Sequence, residues 1–227
     1  ERQKRFITDA SHEIKTPLTS IATSVDVIEM EHGTDEWTDN IHKQTAKMSR
    51  MVADLVTLSR LDEENPFPEK IEFSLSDAVW EVAEPFASLA KAQGKAYTQR
   101  IEENLTLCGN PDSIRQMISI LLDNALKYSD ENGRIQLTLE KKGKHVQLTV
   151  SNTTQDKLNK EQLTHLFDRF YRMDASRNSE TGGYGIGLSI AQAVVQMHKG
   201  TISVTAVGEH KIQFTVLLPI RSVRVAK

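Results

Sequence analysis

Phe6-Ile7-Thr8-Asp9-Ala10-Ser11-His12-Glu13-Ile14-Lys15-Thr16-Pro17-Leu18 sets the register of the first quarter of the chain. Ile7, Ala10, Ile14, Leu18, Ile21, Val25 and Ile28 follow one another in steps of three and four, a single stripe along an amphipathic helix. His12 lies two residues from both Ala10 and Ile14, which puts it off the stripe, toward water. Pro17 falls inside the helical pattern and has no N–H for the carbonyl of Glu13, so a kink or loosened turn is expected just after the histidine. Glu13 is adjacent to His12, and Thr16 is one turn further on. A neutral imidazole can accept a phosphoryl group, and a neighbouring carboxylate can orient the ring or take its proton. Taken alone, an exposed helical histidine is more often inert surface.

Outward from this stretch, Glu31-His32-Gly33-Thr34-Asp35 breaks the pattern, with Gly33 as the turn residue. A second stripe runs through Trp37, Ile41, Met48, Met51, Val52, Leu55, Leu58 and Leu61. Two long helices joined by a short loop make an antiparallel hairpin. Such a hairpin cannot bury both stripes by itself, and a second copy completing a four-helix bundle is the simplest cover, so a homodimer is expected. Glu63-Glu64-Asn65-Pro66-Phe67-Pro68-Glu69 is charged and proline-bearing, the composition of a stiff linker. The domains expected are therefore 1–64 for the hairpin, 65–72 for the linker, 73–220 for a second domain and 221–227 for a tail.

In the second domain helices and strands mix. Ser74-Leu75-Ser76-Asp77 reads as a capped helix start, with that helix ending near Gln93 and Gly94. Strands are expected near 96–101 and 105–108, and Pro111 suits the first turn of a helix reaching Tyr128. Residues 134–141 and 145–152 alternate around Gly143 as an antiparallel hairpin. A helix over about 187–198 and strands near 201–207 and 211–218 complete an α+β sandwich of antiparallel strands, with helices on one sheet face.

Composition narrows the function. Hydrophobic residues are 38% and charged residues 26% of the 227, values of a folded soluble domain and not of a disordered one. A net charge of −3 and an aromatic fraction of 6% argue against a nucleic-acid surface. Cys108 is the single cysteine, which excludes an internal disulfide and a four-thiolate metal site; beside Leu107 it reads as a small buried residue. No stretch approaches the roughly 18 apolar residues of a membrane span, and no signal-peptide pattern is present. The uncapped helical start, Glu1 to Phe6, reads as a cut made within a longer chain.

Three further constellations carry chemistry. In Leu121-Leu122-Asp123-Asn124-Ala125-Leu126-Lys127-Tyr128-Ser129, the residues Asn124, Lys127 and Tyr128 share one helix face, which alone is only a polar surface. Gly182-Gly183-Tyr184-Gly185-Ile186-Gly187-Leu188 enters a helix N-terminus, a ready phosphate cradle but also an ordinary flexible loop. A dinucleotide-binding reading fails because polar Arg177-Asn178-Ser179-Glu180-Thr181 precedes the glycines, and a Walker loop fails because no Gly-Lys-Ser/Thr follows. Between them lies Leu166-Phe167-Asp168-Arg169-Phe170-Tyr171-Arg172, whose two Phe residues read as core contacts under either interpretation.

Together these strings resemble the boxes of bacterial sensor histidine kinases, in family order from Phe6 to about Pro219. The His12 string resembles the H-E-x-x-T-P box. The resemblance implies an ATP-binding domain of the gyrase, chaperone and histidine-kinase type behind the helical hairpin. It makes His12 the phosphoacceptor, Glu13 its acid–base partner and Thr16 a residue that positions water for dephosphorylation. It implies that the side-chain carbonyl of Asn124 binds Mg²⁺ and that Lys127 neutralises phosphate, with Tyr128 on the same face. It also implies that Arg172 reaches the phosphates, and that Gly183, Gly185, Gly187 and Leu188 form the lid hinge over ATP. Two departures stand out: Ile120 occupies the place of a frequent second Asn, and Val150-Ser151-Asn152-Thr153-Thr154 replaces the usual Asp-x-Gly-x-Gly. Asn152 can still accept the adenine amino hydrogen, but a neutral acceptor without the glycines implies looser ATP binding. The partners implied are a second copy and a response-regulator receiver domain, with no nucleic acid. The place implied is the cytoplasm, with membrane contact only through a segment outside this chain. A regulator phosphatase, a weakly ATP-binding dimeric scaffold and a gyrase-type ATPase are the competing functions.

Overall fold

A computed structural model of the chain describes residues 2–61, 70–154, 159–173 and 184–220, the side chains of 2–12, 60, 61 and 160 excepted. The chain divides into two compact units, Glu1–Pro66 and Phe67–Lys227.

The first unit is a helical hairpin of α1 (Arg2–His32) and α2 (Glu36–Leu61). Gly33 turns the chain at φ +83°, a left-handed conformation that an L side chain resists, and its N–H closes on the carbonyl of Glu29 at 2.9 Å. Asp35 then starts α2 through a reciprocal cap: the Thr38 N–H donates to Asp35 Oδ1 at 2.7 Å, and the Asp35 N–H to Thr38 Oγ1 at 3.1 Å. Helix α1 runs unbroken through Pro17, where a loosened turn was expected. Proline removes only the one bond to the Glu13 carbonyl, and the turns on either side carry the helix across.

Within one hairpin, Leu18, Val25 and Leu58 are buried, together with Thr38, Thr45 and Ser59. Ile14, Ile21 and Ile28 repeat every seven residues on α1, as do Ile41 and Met48 on α2, and all five remain exposed. Each helix thus has two adjoining seams, one facing its hairpin partner and one left open. Trp37, counted above in the apolar stripe, lies in the open first turn of α2 and is exposed.

The second unit orders its elements as β1 (Ile71–Ser74), α3 (Leu75–Ala92), β2 (Ala96–Ile101), β3 (Thr106–Gly109), α4 (Pro111–Tyr128), β4 (Arg134–Lys142), β5 (His145–Thr153), α5 (Lys160–Thr164), α6 (Gly187–Met197), β6 (Thr201–Ala206) and β7 (Lys211–Pro219). Strands β2-β4-β5-β7-β6 form the main sheet, and β1 pairs with β3 in a separate two-stranded ribbon. Helices α3, α4 and α6 pack together, and α4 also packs on β5. Ile114, Met117, Ile118 and Leu121 of α4 and Leu137, Val150, Phe214 and Val216 of the sheet are all at or near complete burial.

Four expectations are corrected. The strand pair β2–β4 is parallel, because α4 carries the chain back across the sheet before β4 begins. Ile71 and Glu72, placed above in the linker over 65–72, belong to β1 and pair with Gly109 and Cys108, so the second unit is built from before residue 73. The remaining linker residues, 65–69, and the tail 221–227 lie outside the described residues. Cys108 is exposed, since alternation along β3 sends Leu107 and Gly109 inward and the thiol outward. Phe170 is 57% exposed rather than in the core. Its backbone is left-handed at φ +65° and its N–H bonds the carbonyl of Gly185, while Phe167 packs edge-on against Phe214. No helix among the described residues is long and apolar enough to cross a membrane.

Candidate active site

The residues singled out by sequence fall in both units. On the hairpin, His12, Glu13 and Thr16 all lie in α1, within the turns around Pro17. Glu13 and Thr16 are exposed; the side chain of His12 lies outside the described residues. A spacing of three puts Thr16 on the same side of the helix as Glu13.

In the second unit, α4 is positioned from both ends. Asn110 caps its start, accepting the Ser113 N–H at 2.8 Å on Oδ1, with Pro111 in the first turn. His198, at the end of α6, pins that junction: its Nε2 accepts the Asn110 N–H at 3.1 Å and its Nδ1 donates to the Val194 carbonyl at 2.8 Å. These two bonds need the neutral Nδ1–H tautomer, and burial pushes the imidazole below its ordinary pKa. A Cβ on Gly109 would collide with the His198 ring, so only glycine admits the histidine here. At the far end, Lys95 Nζ donates to the carbonyls of Leu126 at 2.5 Å and Ser129 at 3.2 Å, satisfying acceptors that the helix C-terminus leaves open. Burial lowers the pKa of this ammonium, with Asp130 acting in the opposite direction.

Between these anchors, α4 carries Asn124, Lys127 and Tyr128 near its C-terminus, none of them fully buried. Lys127 Nζ is held in a close ion pair by Asp123 Oδ2, which aims the ammonium along the helix. One turn before Asn124, on the same stripe, Ile120 sets its methyl against Gly187. A Cβ on Gly187 would stand 3.4 Å from that methyl. Ile120 therefore serves as a packing surface for the start of α6, which an Asn there would not provide as well.

Asn152, next to the last residue of β5, has 0% exposure. Its Nδ2 donates to the Thr153 carbonyl at 3.0 Å, while Oδ1 is buried without a partner among the described residues. Tyr97 Oη and Gln99 Oε1 on β2 share that condition, and burial pushes the Tyr97 phenol up to about 12. Strand register places Tyr97, Ile135 and Asn152 in one row across the sheet. A buried acceptor left unpaired costs roughly 1–3 kcal/mol.

The glycine segment reaches the site at Gly185, whose φ is +73°. A Cβ there would come within 2.6 Å of the Tyr171 carbonyl oxygen and 2.8 Å of the Phe170 carbonyl carbon. Gly185 thus joins the aromatic segment to α6. Helix α6 begins at Gly187 with no side-chain cap, leaving its first N–H groups open to an anion. Leu188 follows in that first turn, half-buried, and Arg172 is also half-buried. Gly183 lies outside the described residues. Reading the sequence missed Lys95 and His198, because nothing local marks a lysine or histidine that bonds backbone 31 or 88 residues away.

Residues 2–64 match the His Kinase A phospho-acceptor domain, and residues 109–222 match the histidine kinase-, DNA gyrase B- and HSP90-like ATPase family. The sensor protein DltS of Streptococcus agalactiae is 35% identical over 219 residues, covering 96% of this chain and 55% of that protein. The sensor histidine kinase CusS of Escherichia coli O157:H7 is 34% identical over 224 residues, 97% of this chain and 46% of CusS. The chain thus spans about half the length of these curated relatives. Among solved structures, full-length ShkA in complex with AMPPNP superposes with TM-score 0.81 at 20% identity, over 96% of this chain and 46% of ShkA. The Acinetobacter baumannii histidine kinase AdeS gives 0.68 at 21% identity, over 93% of this chain and 98% of that one; both likenesses are of fold. With both family domains in order and relatives aligned across nearly its whole length, this chain belongs to the bacterial sensor histidine kinases of two-component signalling.

Proposed function

We propose that this chain binds ATP in its α+β unit, autophosphorylates at His12, and passes the phosphoryl group to an aspartate of a response-regulator receiver domain. Membership of the family supports the reaction. The observation that carries the nucleotide reading is Asn152 Oδ1, a fully buried carbonyl with no partner among the described residues. The adenine amino group supplies the missing donor, and an isosteric apolar residue would not accept it.

The remaining roles follow from chemistry. The open N–H groups of α6 and the Lys127 ammonium counter phosphate charge, and Arg172 adds a forked cation. Asn124 would hold Mg²⁺ through its hard side-chain oxygen, and the ion would supply positive charge beside the nucleotide phosphates. Ile120, in place of a second amide, would add no ligand to that ion. Glu13 orients the His12 imidazole and takes its proton as the ring nitrogen attacks the γ-phosphorus in line. Thr16 positions water when the regulator is dephosphorylated. Gly183, Gly185, Gly187 and Leu188 form the lid hinge, and Tyr128 flanks the nucleotide.

A homodimer is supported by the exposed rows Ile14, Ile21, Ile28 and Ile41, Met48, which a second hairpin would cover as a four-helix bundle. The site of action proposed is the cytoplasm, with the membrane reached only through sequence outside this chain. Incubation with labelled ATP and Mg²⁺ tests the whole reading. Wild type should take up acid-labile, base-stable label, His12→Gln none, and Thr16→Ala as much as wild type while losing phosphatase activity. Asn152→Leu should stay folded and lose the preference for ATP over inosine triphosphate, which lacks the amino group. An unlabelled wild type, or unchanged base preference in Asn152→Leu, would defeat it.

A further inference from the structure

Asp26 and Glu29 lie three residues apart on α1, and His42 faces them from α2. His42 Nε2 is 3.4 Å from Asp26 Oδ1 and 3.3 Å from Glu29 Oε2, and the three ligand atoms all lie within 4.8 Å of one another. Both distances exceed the roughly 2.7–3.2 Å of an N–H···O hydrogen bond, and one ring N–H cannot point along two of them. They do match the edge of a coordination tetrahedron. Ligand atoms about 2.0–2.1 Å from a tetrahedral zinc ion stand about 3.3–3.4 Å from each other.

We propose that Asp26, Glu29 and His42 form a divalent-cation site of the zinc class, joining α1 to α2 near the hairpin turn, with water as the fourth ligand. Two carboxylates and a neutral imidazole carry a charge of −2, which such an ion cancels. The imidazole selects zinc, cobalt, nickel or copper over magnesium and calcium, which take oxygen ligands. Glu29 is 19% and His42 30% exposed, so both are largely held in place by packing, while the more open Asp26 can rotate to complete the set.

The site stays accessible in the proposed dimer. At about 100° per residue, Glu29 and Asp26 lie about 40° and 100° to one side of buried Val25, whereas Ile21 and Ile28 lie about 40–60° to the other. The same holds on α2, where His42 lies on one side of buried Thr45 and Ile41 and Met48 on the other. A second copy seated on the apolar rows leaves this flank to solvent. Bound metal fixes α1 against α2 on the same hairpin that carries His12, at a position remote from it in sequence.

The test is titration of the full chain, stripped with chelator and free of nucleotide, with Co²⁺ and then Zn²⁺. The expected result is one Co²⁺ per chain with the intense visible bands of a four-coordinate ion, displaced by Zn²⁺, and a zinc-dependent rise in the hairpin's melting midpoint. His42→Ala and the double variant Asp26→Asn, Glu29→Gln should lose the bands and bind roughly 10- to 100-fold more weakly or worse, since even outer partners of a ligand cost that much. His165→Ala, which removes a histidine–carboxylate pair elsewhere in the chain, should behave as wild type. The double variant keeps the imidazole and the side-chain shapes, so it reads the site even if His42→Ala misfolds. Affinity in both variants within twofold of wild type, or a six-coordinate Co²⁺ spectrum in wild type, would overturn the proposal. So would a midpoint that shifts with substitution but not with metal, the behaviour of a plain ion-pair clasp.

Discussion

The hairpin and the α+β unit use their apolar residues in opposite ways. In the α+β unit, Ile118 and Leu121 of α4 and Val150 and Val216 of the sheet are completely buried within one chain. In the hairpin, the intramolecular seam is partly polar, with Thr38, Thr45 and Ser59 among its buried residues, while Ile14, Ile21 and Ile28 stay exposed. One unit closes its core by itself. The other leaves its apolar rows open, and in the proposed dimer its stability should rise with protein concentration while that of the α+β unit should not.

The sharpest way to break this comparison is Ile21→Asp. A charge at the middle of the open row should abolish dimerisation in equilibrium sedimentation and remove most of the hairpin's helical signal, leaving the α+β unit's melting transition in place. Retention of the dimer would show that the row is not the interface. The converse substitution, Leu121→Ala, should lower the stability of the α+β unit by about 2–5 kcal/mol in urea unfolding, without altering sedimentation. Loss of both transitions together would show that the units fold as one.

Gly185→Ala probes the aromatic segment's hold on α6. The new Cβ must adopt a left-handed backbone and crowd the Tyr171 carbonyl, a strain of about 1–3 kcal/mol. Most of that should appear as weaker ATP binding, since it falls on the loop entering α6. Global unfolding should change little.

The smallest effect is pH dependence at His198. Its folded pKa is lowered by burial, and Lys70 acts in the same direction. Its contribution is fully present above the unfolded value of about 6.5. As pH falls below that, the unfolded chain takes up a proton that the native ring refuses, and stability drops until the folded pKa is passed. The α+β unit's urea midpoint should therefore decline between pH 7.5 and 5.5 in wild type, more steeply than in His198→Gln. The hairpin bears no part of this dependence, which separates the two units again.

Much of this organisation was legible in the residues. Periodic stripes on either side of Gly33 marked the two helices, and Pro111 marked the start of α4 within a residue, because first-turn residues and periodicity are local signals. Strand β1 and the short α5 were not marked. Four or five residues carry too little pattern, and β1 exists only because β3 lies beside it. The parallel β2–β4 pair was also invisible, since strand direction is set by the crossover and not by alternation.

At the site, sequence alone determined which residue types occur and in what order: the His12 string, the Asn124–Lys127 face, the glycine run and the neutral Asn152. It also determined that each helix carries an apolar stripe in need of cover. Tertiary structure decided the rest. It buried Asn152 Oδ1 with no partner among the described residues, gave Ile120 to Gly187 as a packing surface, and turned Phe170 outward over Gly185. It brought Lys95 and His198 to the two ends of α4 and set His42 against Asp26 and Glu29. These are pairings between residues distant along the chain, and only the packing of one element on another fixes such distances.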